Sequence, residues 1–147
     1  MPILNYTTEI PVEKTIGEIQ KCLIAHGANA VLTEFDDQGR VTALSFKIRI
    51  GERNMSFRLP IEWRPVLEVM KQQKEKARGR FRVALTQEQA MRVAWRIVGA
   101  WVAAQMAIVE IRMVTLPQIF LPYAVTPDGK TVSERLLEGN GMKLLGP

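Results

Sequence analysis

At 147 residues, with 47% hydrophobic and 24% charged side chains, the chain has single-domain size and a globular composition, which excludes disordered, fibrous and disulfide-scaffold classes. One cysteine, Cys22, cannot close an internal disulfide, and the residues after Met1 lack the order of a signal peptide, so a reducing, intracellular setting is expected. The formal net charge of +5 is concentrated in residues 71–82, where Lys71, Lys74, Lys76, Arg78, Arg80 and Arg82 face only Glu75; the rest of the chain is neutral overall, a distribution that favours an anionic partner.

In chain order, residues 3–10, with Tyr6, Thr7 and Thr8, predict a first strand ended by Pro11. Val12, Ile16, Ile19, Leu23 and Ile24 recur at helical spacing, and Gly27 suits the position just past the helix end. Residues 29–35 predict a short strand, followed by the turn Asp36-Asp37-Gln38-Gly39. From 41 to 50, Leu44, Phe46, Ile48 and Ile50 alternate with Ser45, Lys47 and Arg49, and Met55, Phe57 and Leu59 repeat the pattern against Ser56 and Arg58. One sheet face is therefore expected to be apolar and the other to display Lys47, Arg49 and Arg58.

A second helix is expected from Trp63 to about Lys76, with Pro65 tolerated in its first turn, and Gly79 marks a break. Thr86 and Gln89 fit a capping box that opens a long helix, about 87–113, apolar around most of its circumference. Its polar relief is a narrow stripe of Arg92, Arg96, Gly99, Ala103 and Glu110. The most apolar stretch, 97–109, has 13 residues between Arg96 and Glu110, fewer than the roughly 20 that span a bilayer, so a buried helix and no membrane partner are expected. A helix about 40 Å long must be covered on all sides, either at the centre of the fold or by a second copy across Trp95, Gly99, Trp101, Ala103 and Ala107.

After Leu116, Pro117, Pro122, Pro127 and the turn Thr126-Pro127-Asp128-Gly129 break the chain into short pieces. Residues 133–138 suit one or two helical turns, and 139–147 a flexible arm. The expectation is an α+β fold: a small, mainly antiparallel sheet in β-α-β-β-β-α order packed on helices, then the long helix and an irregular tail. Residues 1–116 would form one domain and 117–147 a Pro/Gly-rich extension.

Catalytic chemistry has few candidates. His26 is the only histidine, and Cys22 lies four residues before it on one helix, so the pair could act as nucleophile and base or as half a metal site. The competing reading makes Cys22 a small core residue and His26 a helix-terminal cation. Asp36 and Asp37 lack the further ligands of a calcium loop and read as turn residues. Gly51, Gly79, Gly99 and the Gly139-Asn140-Gly141 stretch precede no Lys-Ser or Lys-Thr pair, so none of them is expected to form a phosphate loop. No catalytic residue, metal or cofactor is expected.

The basic segment carries the positive signal. Phe81 stands between Arg80 and Arg82, where an exposed ring could stack on a base while its neighbours reach phosphates; alternatively it anchors the linker. Lys47, Arg49 and Arg58 could track a backbone across the sheet face.

The chain resembles a group of small uncharacterised open reading frames of bacteriophages and integrated mobile elements, through Ser56-Phe57-Arg58-Leu59-Pro60, Ala94-Trp95-Arg96-Ile97-Val98 and Phe120-Leu121-Pro122-Tyr123-Ala124-Val125. That resemblance implies the cytoplasm of a bacterial or phage-infected cell, and DNA metabolism or interference with a host system. The element order also resembles the core of double-stranded-RNA-binding and single-strand-annealing proteins, although the RNA-binding family clusters its lysines at the start of the second helix and this chain at its end. The expected function is a non-catalytic nucleic-acid-binding accessory protein, with single-stranded DNA as first partner. The alternative is a protein-interaction module, such as an inhibitor of a host defence or an assembly factor.

Overall fold

A computed structural model describes residues 2–138 and 141–146. The fold is α+β: α1 (Val12–Ala25), β1 (Ala28–Phe35), β2 (Val41–Ile50), β3 (Arg53–Arg58), α2 (Arg64–Lys76), α3 (Gln87–Glu110), α4 (Leu116–Phe120) and α5 (Val132–Leu137). Short 3-10 turns occupy Leu121–Tyr123 and Gly141–Leu145; the latter falls within the expected flexible arm, whose residues 139, 140 and 147 lie outside the described residues. The chain divides into two compact units, Met1–Cys22 with Ile61–Ala104 and Leu23–Pro60 with Gln105–Pro147.

In the first unit the strand expected over residues 3–10 does not form. Asn5 takes a positive φ of 62°, and Tyr6 N–H bonds to Ile3 C=O and Thr8 N–H to Asn5 C=O, which folds the segment into turns. Three further backbone groups of the segment are claimed by side chains distant in sequence. Ile3 N–H donates to Gln73 Oε1 at 2.9 Å, and Gln89 Nε2 donates to the Tyr6 and Thr8 carbonyls at 3.0 Å each. Buried backbone groups need partners, and here two glutamines supply what a neighbouring strand would have supplied.

The same interaction alters the expected capping box. Thr86 Oγ1 accepts from Gln89 N–H at 3.1 Å, as a cap should, but the Gln89 side chain turns to the N-terminal segment. Gln89 Oε1 accepts from Arg92 Nε at 2.9 Å. Further along α3, Arg96 reaches α1, donating to Glu18 Oε2 at 2.7 Å and to the buried Thr15 hydroxyl at 3.3 Å. Two arginines of the polar stripe are thereby tied into the unit.

Among the buried residues of α3 are Ala90, Met91, Val93, Ala94, Trp95, Val98, Val102 and Met106, while Ala103, Ala104 and Ala107 are exposed. Two of the residues expected to face a second copy need correction. Trp95 is only 1% exposed, and a Cβ at Gly99 would lie 3.2 Å from Thr15 Cγ2, so both serve packing within the chain. Trp101 is half-buried. Length and composition make this 24-residue helix sufficient to cross a membrane, a wider span than the 13-residue stretch singled out in the sequence. In the structure Met91, Trp95, Val98, Val102 and Met106 of this helix are buried, while Ile97, Trp101, Ile108 and Val109 are half-buried. The helix ends three residues earlier than expected, at a turn in which Arg112 has φ 64° and Met113 N–H returns to Ile108 C=O at 3.2 Å.

In the second unit the three strands form an antiparallel sheet in the order β1-β2-β3. Phe46 pairs with Phe57 and Ile48 with Met55, and the stacked Phe46 and Phe57 rings meet Phe120 edge-on at 5.7 and 6.1 Å. Residues 117–147 belong to this unit. Val125 N–H donates to Ser56 C=O at 2.8 Å, and Ala124 bridges Phe57 beside β3. Asp36 shapes the first hairpin: its Oδ1 accepts from the N–H groups of Gln38 and Arg40 at 2.9 Å each.

Candidate nucleic-acid interface

The helix α2 starts at Trp63 and Arg64, with the Arg64 guanidinium 4.9 Å from the Trp63 ring centroid. Val66 and Met70 face a core cluster formed with Phe81 and Val93, which turns Lys71, Lys74 and Lys76 outward. Lysines near the C-terminal end of a helix also suit its dipole. The chain reverses at Arg78 and Gly79, with φ values of 48° and 88°, and Arg80 N–H bonds to Ala77 C=O at 3.1 Å.

Residues 80–82 then alternate. Arg80 and Arg82 are exposed, whereas Phe81 is 7% exposed and its ring packs on that of Tyr6, tilted by 30° with centroids 5.1 Å apart. This corrects the expectation of an exposed stacking ring: Phe81 is the anchor of the linker. Its burial still organises the site, because it fixes the chain between two exposed arginines.

All six cations of the segment are exposed. Lys71 pairs with Glu68 at 3.5 Å; among the described residues, Lys74, Lys76, Arg78, Arg80 and Arg82 have no carboxylate within ion-pair distance. The unit containing them holds eleven basic and seven acidic residues, a net +4 of the chain's +5. Ionic partners among the described residues therefore leave five cations available to an external anion.

Sequence reasoning missed the hollow beside this segment. Tyr6, Gln73, Lys76, Ala77, Arg80 and Phe81 line a pocket of about 300 Å³, mostly apolar inside and cationic at Lys76 and Arg80. Its aromatic residues are far apart in the chain, and no local signal joins them.

The second unit presents the other expected basic surface. The register places Lys47 opposite Ser56, Arg49 opposite Asn54 and Arg58 opposite Ser45, so the three cations share one face. Lys47 and Arg49 are exposed; Arg58 is half-buried and donates to Gly129 C=O at 3.1 Å. Arg49 Nε donates to Gly51 C=O at 3.2 Å. These local bonds make the face less open than the 71–82 segment. A groove of about 410 Å³ follows it past Leu32, Lys47, Ser56, Arg58 and Val125.

His26 Nε2 lies 3.7 Å from Glu110 Oε2, and Cys22 is half-buried. No three His, Cys, Asp or Glu side chains gather at metal-binding distance among the described residues. Comparison with protein-family models, with curated proteins and with solved structures finds no match for this chain.

Proposed function

We propose that the protein is a non-catalytic nucleic-acid-binding accessory protein, of the phage or mobile-element kind its sequence resembles, with single-stranded DNA as first partner. The observation that carries this reading is the set of five exposed cations, Lys74, Lys76, Arg78, Arg80 and Arg82, that lack an internal ion pair among the described residues. A polyanion gains from such a surface because each neutralised phosphate releases a condensed counterion, contributing roughly 0.7 to the salt slope on a single strand. Five contacts give a slope of about −3.5 for log affinity against log salt on that basis.

Filter binding of single-stranded and duplex DNA and of RNA, from low to physiological salt, tests the proposal. A sequence-tolerant affinity falling with about this slope supports it. A folded protein that holds none of these nucleic acids at low salt refutes it, and directs the search to an acidic protein partner for the same surface.

A further inference from the structure

We infer that the pocket at Tyr6, Ala77 and Phe81 receives one unstacked nucleobase, while Lys76 and Arg80 at its rim hold the adjoining phosphates. The inference rests on the nucleic-acid reading above and adds what that reading lacks, a reason for single strands to be preferred to duplex.

Three observations meet at this place. The interior is largely apolar, with the Tyr6 and Phe81 rings 5.1 Å apart among its walls. Two exposed cations, Lys76 and Arg80, stand at the same hollow, and neither has an ion pair among the described residues. The volume, about 300 Å³, is at the small end of the range for ligand clefts, suiting one planar ring system. An apolar slot rimmed by positive charge is complementary to a base that carries its phosphate outside. By contrast, the 270 Å³ cleft at Thr15, Ile19 and Gly99 has its lining cation, Arg96, already held by Glu18 at 2.7 Å.

A base in a duplex is paired and stacked, and entering a pocket requires extruding it. A single strand meets that requirement at little cost, so the pocket discriminates by base accessibility and not by sequence. The neighbouring phosphates can then continue along the exposed Arg80 and Arg82.

The test compares three probes on the intact protein at one salt concentration: a twelve-nucleotide oligothymidylate, the same phosphate backbone made entirely abasic, and a hairpin duplex. The expected result is oligothymidylate bound roughly tenfold or more tighter than the abasic strand, since base stacking is sequence-tolerant and substantial. Ala77→Leu, which adds bulk at the pocket wall and keeps every charge, should abolish that difference. Equal binding of the two strands by the wild type overturns the pocket while the basic-segment reading stands. So does a folded Ala77→Leu protein that keeps the full preference. Failure of all three probes to bind at low salt overturns the nucleic-acid reading and the pocket together.

Discussion

Replacing Phe81 by Ala separates an anchor from a stacking platform. The ring is 7% exposed and packs with Tyr6, Met70 and Val93, so nearly all of its area is removed from water by the fold itself. An aromatic side chain of roughly 200 Å², at about 25 cal/mol per Å², sets an upper bound near 5 kcal/mol. The alanine methyl retains part of this, and Phe→Ala replacements in cores cost about 3–5 kcal/mol. A loss of about 3 kcal/mol lowers the melting temperature by roughly 10 °C in a chain of this size. Phe81→Leu, which keeps most of the volume, should cost well under half as much. The assay is thermal unfolding followed by circular dichroism, with nucleic-acid affinity measured on the same samples. An unchanged melting temperature in Phe81→Ala would refute the anchoring argument.

Arg78 occupies the left-handed region at φ 48°, which costs a non-glycine residue roughly 1–2 kcal/mol. Glycine relieves that strain and gives part back as unfolded-state entropy, so Arg78→Gly should raise stability by up to about 1 kcal/mol while weakening nucleic-acid binding; urea denaturation checks the sign, and a loss of stability contradicts the account. Gly99→Val drives a branched side chain towards Thr15 and Ile19 and should cost about 1–3 kcal/mol, whereas unchanged stability with altered sedimentation would return Gly99 to an interface between copies. Hydrogen bonds from the Arg40 N–H, with further help from the Arg40 side chain and the Gln38 N–H, hold the Asp36 carboxyl below its ordinary value of 3.8. The hairpin stabilisation they give is present above pH 3.8 and lost as pH falls through the depressed value, so the Gln38 and Arg40 amide resonances should titrate with a midpoint below 3.8.

The parts of the fold legible in the sequence are those whose partners lie nearby. The alternation from Leu44 to Ile50 identified β2 and its faces, because a half-buried strand imposes period two on its own residues. Exposure of the 71–82 cations was legible for a similar reason, since a dense run of ionised side chains cannot be buried unpaired. Residues 3–10 looked like a strand because Tyr6, Thr7 and Thr8 favour extended structure. Their conformation was decided by Gln73 and Gln89, far along the chain, and by the lack of a strand partner. Phe81 was ambiguous because an aromatic between two arginines reads alike whether buried or exposed; Tyr6, Met70 and Val93 resolve it only in three dimensions. The faces of α3 were hidden by its apolar composition all round. Trp95 and both its methionines lie inside, Trp101 is half-buried and several of its alanines lie outside, a division that hydrophobicity alone does not encode.

The most direct test of the central claim is the salt dependence of single-stranded DNA binding in the variant with Arg78, Arg80 and Arg82 all replaced by Gln. Loss of three phosphate contacts should reduce the slope by about two, from about −3.5 to about −1.5, and weaken every sequence alike. A folded variant with the wild-type slope would contradict the claim, because the cations left without internal partners would then not be the ones that meet the phosphates.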